Sequence, residues 1–394
     1  MRKNRFLTFT IIFFLTVFIV NSGFAASSKA KLPSVIGWTT YGVGSAGQAK
    51  SMAVAESIRK NAGIEIRVIP SGTDMARILP LRTGEAAISM VGGGATFVSA
   101  YGIGYLASQE WGPLPLRCVW YGETQSGVFT TKNTGIKTLA DIKGRRVANV
   151  PGSISYAVQM AAVLAAAGLT WGDVTPVVFS GFTSAAKGVM AGTAEISMMT
   201  PTGSVMYEIE AKKGLAWLPL PSDPESIDRF ITIAPHWTPG YMNRGASIDP
   251  KARILGTSYA YPCLALKKQD SNLTYAIAKA FWEEYDNYKD KTADLKYWGP
   301  KYATDPSRLC VPYHDGTVQL FKDKGAWTPE MEKWQNKAVA LEKKRIKAYG
   351  EAIKAAKDAG VKPFKDEWMK PVTGFWHRWL MKHDLIQKPA VKLD

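Results

Sequence analysis

Six residues, Gly42-Val-Gly-Ser-Ala-Gly47, have the types and spacing for anion chemistry. Ahead of them Val35-Ile-Gly-Trp38 reads as a buried strand. After them residues 48–60 read as a helix with Met52, Ala55 and Ile58 on its buried face. A glycine-rich passage from strand to helix leaves backbone N–H groups uncovered at the positive end of the helix dipole, which favours a carboxylate or phosphate. The same residues satisfy G-x-G-x-x-G, but the dinucleotide signature also needs an acid about 20 residues on, at the end of the second strand. That strand, Ile64-Glu-Ile-Arg-Val-Ile69, carries its acid at the start and ends in Ile69-Pro70. A nucleophile elbow, G-x-S-x-G, fails because Val43-Gly44 precedes Ser45. Three readings stand: a binding loop for a small anion, a plain connecting turn, and a Rossmann-type dinucleotide-dependent oxidoreductase built on Gly42, Gly44 and Gly47.

The elements that would position this turn belong to an exported chain. Arg2, Lys3 and Arg5 precede an apolar run from Phe6 to Val20, and Gly23-Phe-Ala25 supplies the small residues of a cleavage site. The run is too short for a membrane span. Residues 1–25 therefore read as a signal peptide, cleaved near Ala25, and the destination as the periplasm. No later apolar run approaches membrane length. The formal charge is +16, or +13 once Arg2, Lys3 and Arg5 are removed, which suits acidic surfaces or anionic lipid; export argues against nucleic acid. Cys118, Cys263 and Cys310 include no C-x-x-C and are expected as free thiols. The four histidines lack metal-ligand spacing, so neither metal nor cofactor is expected. No paired carboxylates and no Cys/His pair at motif spacing point to catalysis, and the chain reads as a binding protein, not an enzyme.

The chain also repeats itself. Ile69-Pro-Ser-Gly-Thr followed by Thr83-Gly-Glu-Ala-Ala-Ile-Ser-Met90 resembles Phe179-Ser-Gly-Phe-Thr followed by Ala191-Gly-Thr-Ala-Glu-Ile-Ser-Met198. Ile88 and Ile196 are 108 residues apart, and that offset places Gly44-Ser45 on Gly152-Ser153. Each copy reads strand, short helix (Met75, Ile78 and Leu79; Ala186, Val189 and Met190), glycine turn, strand. Such units imply a mainly parallel sheet with helices on both faces, and ligands sit off the carboxyl ends of such strands. Two similar lobes facing one cleft would offer Gly-, Ser- and Thr-rich loops nearly free of charge. The expected ligand-binding residues are Tyr41, Gly42, Gly44, Ser45, Ser71, Gly72, Thr73, Gly93 and Gly94 from one lobe, with Gly152, Ser153, Ser155, Phe182, Thr183 and Thr200 from the other. These walls would hold a small organic anion through amides and hydroxyls.

The leader, glycine turn, Ser71-Gly-Thr73 and Thr83-Gly-Glu-Ala-Ala-Ile88 precede Gly135-Ile-Lys-Thr-Leu-Ala-Asp-Ile-Lys-Gly-Arg-Arg-Val147, Pro151-Gly-Ser153 and Ala166-Ala-Gly-Leu169. In this combination the chain resembles the TAXI-type solute-binding subunits of TRAP transporters over roughly residues 33–285. The resemblance implies a monomeric periplasmic receptor that closes on a small organic acid or amino acid such as glutamate and hands it to TRAP membrane permease subunits. A receptor for an ABC importer or a sensor is the alternative within the superfamily. The family's adjacent tyrosines after the first glycine pair are absent here; Tyr41 lies before the turn instead.

The expected fold is α/β: a two-lobed, type II-like periplasmic binding protein with two hinge crossings and a helical C-terminal extension. Leu116–Tyr121 reads as the outgoing strand and Tyr259–Leu266 as the returning one. Lobe I is expected at 33–121 and 256–290, and lobe II at 122–255. An extension at 291–394 would pack on lobe I through Met331, Trp334, Ala338 and Leu341, after the helix start Thr328-Pro-Glu-Met-Glu332.

Overall fold

The structure is a computed structural model and describes residues 32–388. The leader expected at 1–25 lies outside the described residues.

Three strands and three helices alternate first: β1 (Val35–Tyr41), α1 (Ala46–Ala62), β2 (Glu65–Ser71), α2 (Asp74–Thr83), β3 (Ile88–Met90) and α3 (Gly93–Tyr101). β1 lies between β2 and β3, parallel to both, with Trp38 opposite Ile88. The chain leaves this sheet on the 16-residue β4 (Leu116–Thr131). It then builds β5 (Arg146–Asn149), α4 (Ile154–Ala166), β6 (Thr175–Val178), α5 (Phe182–Met190), β7 (Ser197–Met199), α6 (Ser204–Lys213), β8 (Leu215–Leu218), α7 (Pro224–Ile233) and β9 (Pro239–Tyr241). It returns on β10 (Leu255–Leu266), which slots antiparallel between β3 and β4 to give the order β2-β1-β3-β10-β4.

The far end of β4 pairs with β7 and β8, and the start of β10 pairs with β9. These two long strands therefore run from one lobe into the other. The architecture is the expected two-lobed, type II-like periplasmic-binding-protein fold. The second lobe repeats the grammar of the first: β5 and β6 are parallel, and Val147 bridges Ile196 much as Trp38 meets Ile88. Ser45 and Ser153 both stand at the N-cap of a helix.

Two helix faces differ from their apolar pattern. α1 buries Lys50, Ser51, Val54, Ser57 and Ile58, whereas Met52 is 55% exposed. α2 buries Asp74, Arg77, Ile78 and Leu81, with Met75 and Leu79 exposed at 36% and 45%. The cause is the same in both. Lys50 and Arg77 each find a carboxylate in the interior, so burial follows charge pairing instead of hydropathy.

The rest of the described chain is helical: α8 (Ser271–Glu283), α9 (Tyr285–Tyr288), α10 (Pro300–Ala303), α11 (Asp315–Asp323), α12 (Pro329–Asp358), α13 (Asp366–Met369) and α14 (Phe375–Lys382). Thr328 caps α12, and Pro329 opens it. Met331, Ala338, Ala348, Ala352 and Ala356 are buried, while Lys333, Lys337, Lys343, Lys344 and Lys347 face solvent. The anchor is polar as well as apolar. Buried Arg117 grips Glu342 with two nitrogens at 2.5 and 2.9 Å. Arg345 donates to the Ala100 carbonyl, and the indoles of Trp368 and Trp376 donate to the carbonyls of Ala107 and Tyr101. Cys118, Cys263 and Cys310 are buried thiols. Among the described residues no helix is long and apolar enough to cross a membrane, and no His/Cys/Asp/Glu group is arranged to hold a metal ion.

Candidate functional site

The turn after β1 is shaped by Gly44, whose φ of +87° favours glycine. Ser45 then caps α1, its hydroxyl accepting from the Gln48 amide at 3.2 Å. The next two amides, of Ala46 and Gly47, take no acceptor among the described hydrogen bonds. They stand at the start of a 17-residue helix, where the dipole is positive. Gly47 has no room for a side chain: an added Cβ would run into the Tyr261 hydroxyl and the Tyr41 ring.

Both residues line a cavity between the lobes, completed by Tyr41, Ser45, Gly92, Ser126, Gln159, Phe182, Met199, Thr200, Tyr259 and Tyr261. The space between these walls is small. Ser126 comes from β4, and Tyr259 and Tyr261 come from one face of β10. Both hinge strands thus form part of the wall. The Tyr41 ring is half-buried, and its hydroxyl accepts from the Gly92 amide at 3.3 Å. Burial pushes the phenols of Tyr41, Tyr259 and Tyr261 above their usual range, so all three act as neutral hydroxyls at ordinary pH.

Of the residues expected from the sequence, Tyr41, Ser45, Phe182 and Thr200 line this cavity. Gly42, Gly72 and Thr183 line a second recess, which shares Tyr41 and Phe182 with the cavity. Those two rings meet edge to face at 5.5 Å between the two spaces. Gly44 faces Thr183 and Ser204 of the other lobe, and its carbonyl accepts from Ser204 Oγ and the Val205 amide. Ser71 gives its carbonyl to Arg77, and Thr73 caps α2. Gly93 packs against β10, and Gly94 against Gln159 and Ser155.

Gly152, Ser153 and Ser155 lie on the interlobe surface outside the cavity lining. Gly152 abuts the Thr73 methyl, and Ser153 Oγ donates to the Gly72 carbonyl at 3.5 Å. Ser155 meets a carboxylate. Its amide donates to Asp74 Oδ2 at 2.7 Å and its hydroxyl to Asp74 Oδ1 at 3.0 Å. Asp74 is held in turn by Arg77 at 2.5 Å, and the Arg77 guanidinium lies 3.8 Å over the Tyr41 ring. The expectation of an interlobe surface nearly free of charge is corrected here: one lobe places its own carboxylate at the start of the other lobe's helix.

A second buried charge cluster sits behind Tyr261. Lys50 Nζ lies 3.9 Å over that ring and donates to Asp294 Oδ2 at 2.9 Å; Arg244 Nε donates to Asp294 Oδ1 at 2.7 Å. Burial works against ionising Asp294, but Lys50 and Arg244 outweigh it and hold the carboxyl well below the usual range. For Lys50, burial outweighs the pull of Asp294, and its ammonium titrates lower than usual.

Sequence reasoning missed Ser126, Gln159, Met199, Tyr259 and Tyr261. The alternation of Tyr259 and Tyr261 on the return strand was the available signal, because period two puts both rings on one face. Gln159 and Met199 carry no such mark.

Residues 39–325 match the NMT1-like family. Among solved structures, a Prochlorococcus marinus protein in complex with methylphosphonate is 11% identical, with 75% of this chain and 100% of that chain covered and a TM-score of 0.44. The periplasmic aliphatic sulphonate binding protein of Escherichia coli is 15% identical, with 92% and 95% covered and a TM-score of 0.41. An arginine-specific periplasmic binding protein of Salmonella typhimurium is 14% identical, with 66% and 98% covered and a TM-score of 0.40.

Proposed function

The chain belongs to the NMT1-like family, and on that premise we propose that it is an extracytoplasmic solute receptor which closes on a small organic anion. The observation that carries the reading is the cavity itself, walled by both lobes and both hinge strands. A ligand there would touch every part that must move for the cleft to open. Its free amides at Ala46 and Gly47 suit a carboxylate, and the neutral hydroxyls of Tyr41, Tyr259, Ser45 and Thr200 suit its remaining oxygens. Lys50 and Arg244 against the single carboxylate of Asp294 tilt the local field the same way. The small space suits a small acid better than a dinucleotide.

The finer reading follows the sequence resemblance. The receptor is of the TAXI type, works in the periplasm, and delivers a carboxylate or amino acid to the permease subunits of a TRAP transporter. Phe182 and Tyr41 would contact the solute's apolar part, with Thr200 among the polar contacts. Mass spectrometry of small molecules released from freshly purified protein tests this. One small organic acid in near-stoichiometric amount is the expected result. Recovery of a nicotinamide dinucleotide, or thermal stabilisation by NAD but by no small acid, would contradict it.

A further inference from the structure

Asp294 belongs to the segment that follows α9, outside the two repeated units, yet its side chain is buried where those units meet. Its four partners come from four places. Lys50 is on α1, whose first turn lines the cavity. Thr124 Oγ1, on the hinge strand β4, donates at 3.0 Å. Thr202 Oγ1 donates at 3.0 Å from the loop after β7, two residues beyond cavity-lining Thr200. Arg244, just after β9, completes the set, and its Nη2 donates to the Glu123 carbonyl of β4. The Tyr297 ring, three residues past Asp294, lies 3.8 Å from the Arg244 guanidinium.

We propose that Asp294 is a positioning residue which clasps the two lobes shut over the cavity, so that the C-terminal extension sets how readily this receptor closes on its solute. The extension is fastened to the first lobe by Arg117–Glu342 and by the Trp368 and Trp376 indoles. A carboxylate held there reaches across to Thr202 and Arg244. Opening the cleft moves the β7 loop away from α1 and strips Asp294 of its Thr202 donor. Each lost donor leaves an ionised group short of a partner in the interior, which biases the equilibrium toward closure. The clasp reaches the cavity wall at Tyr261 through Lys50, and the Asp74–Ser155 contact reaches it at Tyr41 through Arg77. Only the first draws on the extension.

The consequence for the solute rests on the receptor reading, but closure does not, so the test has two arms. The first is small-angle scattering of the mature protein without added solute, with Asp294→Asn, Arg244→Gln and the double variant beside it. The wild type is expected compact. Asp294→Asn and Arg244→Gln are expected to have a larger radius of gyration with near-native circular dichroism, and the double variant to add little to either. A folded Asp294→Asn variant with the wild-type radius overturns the proposal. Should Asp294→Asn fail to fold, Thr202→Val removes one second-lobe donor and leaves the charges paired; an unchanged radius there overturns it equally.

The second arm is calorimetric titration with succinate and with glutamate. Whichever binds the wild type is expected to bind Asp294→Asn about tenfold more weakly, because only the closed fraction binds tightly. Asp294→Glu is expected to recover part of the loss. Equal affinity in wild type and Asp294→Asn overturns the proposal. If neither acid binds the wild type, the solute assignment is at fault, and the scattering arm alone decides the clasp.

Discussion

Ser45 and Ser153 hold equivalent places in the two lobes, and the helices they begin meet different surroundings. Ser45 caps α1 with its own hydroxyl, and Ala46 and Gly47, whose amides take no acceptor among the described hydrogen bonds, line the cavity. Ser153 makes no capping bond; the amide of Ser155, in the first turn of α4, is taken by Asp74 from the opposite lobe. The two sequences are alike in glycine, serine and small residues, so composition does not separate them. What separates them is whether the chain supplies an anion of its own. A helix start is a vacant anion site only where no carboxylate of the fold arrives first. By this comparison the proposed solute would sit at α1, where the fold brings no carboxylate of its own, and not at α4, where Asp74 does.

The comparison breaks most readily at Asp74. Asp74→Leu leaves the Arg77 guanidinium buried without its carboxylate and α4 without its cross-lobe cap, and should cost roughly 3–5 kcal/mol of stability. Chemical denaturation measures it; a loss under 1 kcal/mol would mean that the cap contributes little. Gly47→Ala is next. Its Cβ displaces Tyr261 and should cost about 1–3 kcal/mol while abolishing solute binding in calorimetry. Ser155→Ala, at the matching place in the other lobe, removes only the hydroxyl bond to Asp74. It should cost about 1–2 kcal/mol and leave binding weakened but detectable. If Ser155→Ala abolished binding and Gly47→Ala did not, the roles of the two helices would be reversed.

An effect that is nearly silent at neutral pH sets the pH at which to make these measurements. The His236 ring stacks on Phe97 at 4.3 Å, and neither ring nitrogen finds a partner among the described residues. Burial, aided by His377, pushes His236 down to about 3 from an ordinary value near 6.5. The folded value lies below the unfolded one. Its contribution is therefore complete above about pH 6.5 and fades as pH falls toward 3, by about 1.4 kcal/mol per pH unit. His377 and His314, both lowered by burial, act with the same sign. His236→Phe keeps the stacking and should make the acid limb of a stability–pH curve shallower, with little change at pH 7.5. An unaltered limb would show that His236 is not one of its sources.

How much was legible follows from where the signals lie. The strand, glycine turn and repeat were readable because a parallel strand-helix unit needs them locally: Trp38 and Ile88 sit in the core as their pattern implies. The buried faces of α1 and α2 were not. Met52 and Met75 advertise burial and stay exposed, while Lys50 and Arg77 are interior because their partners arrive through the fold. Asp294 lies 244 residues from Lys50, and no local pattern links them. In the candidate site the loops carried the signal for Tyr41, Ser45, Phe182 and Thr200. Gln159, on a helix, and Met199, at a strand end, look like ordinary core positions until the lobes are placed face to face.

The most direct measurement is the amide chemical shift of Ala46, Gly47 and Ser155 in the mature protein, by two-dimensional NMR, before and after adding the acid released from the purified protein. The account predicts large shifts at Ala46 and Gly47 and little at Ser155, which already donates to Asp74. A large shift at Ser155 with none at Ala46 and Gly47 would place the solute at the wrong helix and contradict it.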